Sequence, residues 1–410
     1  MQAESPANRW LIAVGGVFMQ IALGAVYAWS VFRIPLTKVY NRNLADVTVA
    51  FEIAIFVLGV EAYVGGVWMR RSGPRRVAIA AAILYGAGTV LAGLSPDLKT
   101  FYLSYGVIAG AGIGLGYIVP VATLIKWFPD RRGMITGIAV AGFGSGALIT
   151  APVAQRLIAS YGALRTFQIL GVAYFLMVLF AAMVIRNPPA GYMPPGYVPP
   201  AAPTRRSSAQ DFTFGQALGT WQWYALWCIL FLNTTAGIAI ISQASPMAQE
   251  ISGVTAAVAA GMVSLISIAN GAGRFLWAWL SDAIGRKAVF LTMFLVQTAA
   301  FLMLSSVADY TLLVALAIAV LLCYGGGFGT MPAFAADYFG ARDIGSIYGL
   351  MLTAWGTAGI VGPTLIAHIR QSTGHYHDAL RIIAYITLAS AALPLLLRPP
   401  SLKRKGLARD

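Results

Sequence analysis

AAVAAGMVSLISIANGAGRFLWAWL, residues 256–280, consists of apolar and small side chains with a single charge, Arg274. A helix over this stretch is long enough to cross a bilayer core of about 30 Å, at about 1.5 Å of rise per residue. A guanidinium inside such a span costs roughly 2.5–3.5 kcal/mol on insertion scales, so a chain that keeps one there uses it. Asn270 stands four residues earlier, one turn away on the same helix face. Gly271 and Gly273 flank the arginine and leave room for a neighbouring helix or a ligand. The planar guanidinium fork suits a carboxylate, which accepts two parallel hydrogen bonds. Two roles fit Arg274: countercharge to an anionic substrate, or partner of a carboxylate within the protein.

The rest of the chain has the same character. Of 410 residues, 59% are hydrophobic and only 10% charged, and the mean hydropathy is +0.74. That composition is expected of a polytopic membrane protein rather than a soluble domain. Continuous apolar runs favour helices over a barrel, whose strands would alternate. Twelve spans are expected, at about 10–32, 47–69, 77–94, 100–125, a fifth ending near 157, 164–185, 221–245, 256–280, 287–305, 311–336, 344–369 and 380–397. Nineteen Lys and Arg fall in one set of alternate loops and eight in the other. This bias, and not nucleic-acid binding, accounts for the net charge of +14, and it places both termini in the cytoplasm. Cys228 and Cys323 both fall within spans and have neither a disulfide framework nor metal spacing. No cleaved signal peptide is expected.

Residues 187–219 change composition abruptly. NPPAGYMPPGYVPPAAPTRRSSAQDFTFGQALG is a proline-rich cytoplasmic linker, with a short interfacial helix expected near 212–218. It divides an N-terminal six-helix bundle, 1–186, from a C-terminal one, 220–398, with a basic cytoplasmic tail at 399–410. A shift of about 212 residues superposes the halves. It brings the loop starting at Arg70 onto Asp282-Ala-Ile-Gly-Arg-Lys, GIGLGYIVP from Gly112 onto CYGGGFGTMP from Cys323, and Ala62, beside Glu61, onto Arg274. Agreement of several features at one offset marks an internal repeat, and in parallel-repeat transporters the substrate site lies between the halves near the midplane.

Asp282, Gly285, Arg286 and Lys287 carry a pattern that resembles the cytoplasmic signature of the major facilitator superfamily, a motif implicated in that family's conformational cycle. The first-half copy is degenerate, with Arg70 at the aspartate position. WFPDRRGMITGIAVAGFGSG, from Trp127, resembles the start of the fifth span in monocarboxylate transporters and oxalate:formate antiporters. NPPAGYMPP and LGTWQWYALW resemble the antiporter side of that branch, and the whole chain is similar to its bacterial lactate-transporting members. The resemblance implies an all-α membrane protein of twelve transmembrane helices in two pseudo-symmetric six-helix bundles, working by alternating access. It departs from the pattern in three places. Asn270 stands where animal carriers have an aspartate. Ser30 or Val31 stands where they have a lysine. Trp355 falls where the oxalate antiporter carries a second intramembrane cation.

One cation is matched to one negative charge. A dianion would leave a charge unpaired in low dielectric, whereas a monocarboxylate against Arg274 cancels it. Tyr324 and Phe328, one turn apart, together with Tyr117 and Tyr27, are expected to shape the cavity with Asn270. Tyrosine offers an apolar wall and one hydroxyl. Glu61 is the candidate proton carrier. Expected, then, is proton-coupled symport of a small monocarboxylate such as L-lactate or pyruvate across a bacterial-type inner membrane, with anion exchange as the alternative. No nucleophile–base pair or metal cluster suggests an enzyme, no cofactor or obligate protein partner is implied, and the lipid bilayer is the surrounding medium.

Overall fold

The computed structural model describes residues 8–197, 211–374 and 376–401. Residues 1–7, linker residues 198–210, His375 and the tail from residue 402 lie outside them, as do the side chains of Ser30 and His368.

The described residues form twelve long helices and contain no strand. In chain order they are α1 (Arg9–Ala28), α2 (Leu44–Ser72), α3 (Pro74–Ala92), α4 (Leu98–Trp127), α5 (Arg132–Tyr161), α6 (Ala163–Val184), α7 (Trp221–Ser252), α8 (Ala256–Ile284), α9 (Arg286–Leu304), α10 (Tyr310–Phe339), α11 (Ile344–Met351 and Thr353–Thr373) and α12 (Tyr376–Leu396). All except α8 are long and apolar enough, over their described residues, to cross a membrane. The twelfth, α8, is the 29-residue helix that carries Arg274. Large apolar side chains point outward along the bundle, among them Val14, Phe180 and Leu396. Lipid replaces water around such a surface.

Local chemistry sets the helix ends. Asn43 accepts from the Asp46 amide at 2.7 Å, and Asp309 from the Leu312 amide at 2.8 Å, each satisfying an amide without an intrahelical partner. The expected interfacial helix runs from Phe214 to Leu218 and is closed by a Thr213–Gln216 capping box. At the other ends, residues with positive φ repeat at one interval. Asn41 pairs with Gly253, Gly73 with Gly285, and Gly162 with Gly374, each 212 positions apart. The helix-breaking geometry therefore repeats at the offset that the sequence motifs suggest.

Three spans are less regular than their hydropathy. α1 turns 3-10 over Gly24–Ala28 before a further helix, Trp29–Tyr40, and at this turn Gly24 lies directly against the Phe143 backbone of α5. α4 includes a π-helical stretch, Tyr102–Ala109, and α11 is interrupted at Leu352.

The halves meet along α2–α11 and α5–α8, and the first of these seams is tapered. Gly66 lies directly against the Gly345 carbonyl. A methyl group placed on Gly349 would stand 2.5 Å from the Ala62 oxygen, on Gly59 3.0 Å from the Leu352 oxygen, on Gly356 3.5 Å from Phe56, and on Gly359 3.6 Å from Ile55. The helices are closest at the end carrying the basic loops and separate toward the other. This conformation is closed on the basic face.

Candidate substrate site

Glycines bring the Arg274 turn into the centre of the molecule. Gly329 of α10 abuts the Arg274 carbonyl, Gly325 that of Asn270, and Gly273 of α8 that of Leu322. From α5, a methyl on Gly137 would stand 2.9 Å from the Arg274 oxygen, and one on Gly144 2.8 Å from the Gly271 Cα. Small residues permit such backbone approach between membrane helices. α8 thus packs backbone to backbone against both α5 and α10 at the level of the charge.

Arg274 is fully buried. Its Nε donates to Asn270 Oδ1 and its Nη1 to the Val140 carbonyl, both at 3.3 Å, the long end of the range. Nη2 has no hydrogen-bond acceptor. No carboxylate of the described residues pairs with it. The internal-partner role is therefore not what this conformation provides.

An aromatic cage surrounds the cation. Its Cζ lies 5.1 Å from the Phe328 ring centre and 5.5 Å from that of Phe143, favourable positions over two π faces. Tyr27 and Tyr117 meet Phe143 edge-on at 5.2 Å each, and Tyr324 meets Phe328 at 5.2 Å. Tyr27 and Tyr117 lie beside the guanidinium, with Tyr324 beside Tyr27 and Tyr348 beside Tyr117. None of these four buried hydroxyls makes a hydrogen bond of regular length and angle. Five unsatisfied groups, one of them cationic, thus converge on one place. Arg274, Asn270, Tyr324, Phe328, Tyr117 and Tyr27 all gather there. Phe143, Tyr348 and Trp355 join them; of these three the sequence singles out Trp355 alone, as the residue at the oxalate antiporter's second-cation position, and Phe143 and Tyr348 were not among the expected site residues.

Glu61 does not pair with this group. It is half-buried on α2, its Cβ 2.8 Å from a methyl placed on Gly114 of α4, and it makes no ion pair among the described residues.

The sequence matches the Major Facilitator Superfamily over residues 11–261 and 226–410. The chain belongs to that superfamily. It is similar to the oxalate:formate antiporter of Oxalobacter formigenes, 28% identical over 96% of this chain and 92% of the relative. It is likewise similar to monocarboxylate transporter 13 of Rattus norvegicus, 27% identical over 96% and 90%. Among solved structures, the fucose:proton symporter FucP of E. coli superposes with a TM-score of 0.70 at 17% identity, over 94% of this chain and 97% of that one. As a member of that superfamily the chain is a multi-pass secondary transporter.

In this facilitator the signature residues form a network across the halves. Asp282, at the end of α8, accepts the Gly133 and Met134 amides of α5 at 3.0 and 2.8 Å. Arg286 binds Asp282 at 2.7 Å and Asp337 at 2.9 Å, and also donates to Ser281. Arg132 of α5 reaches Asp337 at 3.4 Å. Gly285 has φ +95°, a left-handed turn that favours glycine. Lys287 lies outside this network and donates to the Leu395 carbonyl at 3.3 Å.

Proposed function

We propose that this facilitator carries small monocarboxylates such as L-lactate or pyruvate, by symport with a proton and alternating access between the halves. The observation that carries the proposal is the convergence at Arg274 of a buried, uncompensated guanidinium and four unsatisfied phenol hydroxyls. Buried polar groups find partners, and a buried cation without one is costly. Donors gathered around a positive charge call for an anion with acceptor oxygens. One carboxylate meets both demands and leaves no net charge. At about 4 Å and an effective dielectric of 20 the attraction is roughly 4 kcal/mol before desolvation, suited to reversible binding. The apolar rings suit the short carbon chain. The names of the two relatives, one a monocarboxylate transporter and the other an oxalate:formate antiporter, support a carboxylate cargo.

Glu61 is assigned the proton. An anion moving with a proton carries no net charge, so a negative-inside potential does not oppose uptake. The basic face is assigned to the cytoplasm of a bacterial-type inner membrane, with both termini there.

Anion exchange is the second reading. It is favoured by the absence of any titratable carboxylate in contact with Arg274 among the described residues, since an exchanger needs no proton carrier. Uptake of labelled L-lactate into proteoliposomes separates the two. Stimulation by an inward proton gradient supports symport, and stimulation by internal anion with indifference to pH supports exchange. Absence of uptake across a range of monocarboxylates overturns the cargo class.

A further inference from the structure

We propose that Trp355 determines the size of acid this site accepts, an inference that rests on Arg274 as the carboxylate anchor. Trp355 is 1% exposed and contacts four rings drawn from both halves. Its ring centre lies 4.8 Å from that of Phe328, 5.8 Å from Tyr117, 5.9 Å from Phe143 and 6.2 Å from Tyr27. Phe143 and Phe328 are the two rings over the guanidinium, and Trp355 packs against both without itself lying over the charge. An acid held by its carboxylate at Arg274 directs its remaining atoms among these rings. The indole is the largest of them.

The backbone holds the indole in place. α11 is interrupted at Leu352, and the Trp355 amide donates to the Leu352 carbonyl at 3.0 Å as the helix resumes. Thr353 fixes the break. Its hydroxyl donates to the Leu350 carbonyl at 2.7 Å and accepts from the Trp227 indole N–H at 2.9 Å. A wall held in this way excludes larger groups sterically. Apolar pockets discriminate by about 10–200-fold per methylene-sized difference.

The role is distinct from that of Phe328. Truncating Phe328 also removes a π face from Arg274, so every acid loses affinity. Truncating Trp355 leaves the guanidinium with Asn270, Val140, Phe143 and Phe328 and opens room beyond them. The signature is thus a change in selectivity rather than a uniform loss.

The test compares wild type, Trp355→Ala and Trp355→Phe in proteoliposomes, with kcat/KM for pyruvate and phenylpyruvate and the thermal denaturation of each purified protein with either acid. The phenylpyruvate-to-pyruvate ratio is expected to rise tenfold or more in Trp355→Ala and by less in Trp355→Phe. Where the alanine variant does not survive purification, Trp355→Phe decides by the same ratio. A ratio that stays unchanged, or a parallel loss for both acids, overturns the role of Trp355. A wild type that neither transports the acids nor is stabilised by them overturns the anchor reading itself, and this inference with it.

Discussion

Arg70 and Asp343 form an ion pair at 2.9 Å between the end of α2 and the start of α11, joining the two halves at the basic face. By the 212-residue repeat, Arg70 corresponds to Asp282 and Asp343 to Arg131. In the second half's copy the acid lies at the end of α8 and reaches the first turn of α5. In the first half's copy the base lies at the end of α2 and reaches the residue that begins α11. The degenerate motif is thus charge-inverted rather than lost. Asp343 also accepts the Phe214 amide at 3.1 Å, which ties the short linker helix into the same latch.

Charge reversal at either position is expected to loosen closure of the basic face, and Arg70→Asp combined with Asp343→Arg to restore much of it. Arg70 is 45% exposed and Asp343 2%, so solvent screens the pair only from one side. For Arg70→Ala the expected cost is about 1 kcal/mol, roughly a fivefold shift in the open–closed equilibrium. Distances between spin labels on the two basic-face loops measure it. Single reversals that leave the distance distribution unchanged, or a double reversal no better than either single, would remove the latch from the account.

Gly329→Ala is expected to destabilise the protein by about 1–3 kcal/mol, the usual cost of overpacking. Its methyl would run into the Arg274 carbonyl, a backbone atom that cannot rotate away. Gly215→Ala, where an added methyl meets nothing within 4 Å, is the matched control and is expected to be neutral. Thermal denaturation in detergent compares them. Equal melting of the two variants would mean that α8 and α10 are not held at this contact.

Uptake by the wild type is expected to rise as the outside is acidified, because a proton carrier must be protonated to accompany the anion. Glu61→Gln cannot release or regain that proton. Its gradient-driven uptake is expected to fall at least tenfold and its pH profile to flatten, while counterflow of anion for anion persists. A Glu61→Gln protein with wild-type uptake and an unaltered pH profile would take the proton away from this residue.

Much of this organisation was legible from local pattern. One charge in a span, its asparagine one turn away and the Tyr324–Phe328 pair lie on single helix faces, which spacing reveals. The repeat was equally open to inspection, and the positive-φ helix ends recur at its interval. What escaped depends on packing between distant segments. Phe143 reaches the site because Gly24 and Gly144 let α1 and α8 close on α5. Trp355 reaches it because α11 breaks at Leu352 and resumes. That Glu61 forms no ion pair with Arg274 among the described residues was hidden for a related reason. The repeat aligns Ala62 with Arg274, but equivalent positions in two halves need not touch.

The central claim is that Arg274 grips the carboxylate of the cargo. The most direct measurement is calorimetric titration of purified wild type and Arg274→Gln with pyruvate, with the melting profile of each recorded first. Saturable binding by the wild type is expected, with a loss of about 100-fold or more in a variant that remains folded, in line with roughly 2–5 kcal/mol for truncating one partner of a buried charged pair. A folded Arg274→Gln protein that binds pyruvate as tightly as the wild type would contradict it.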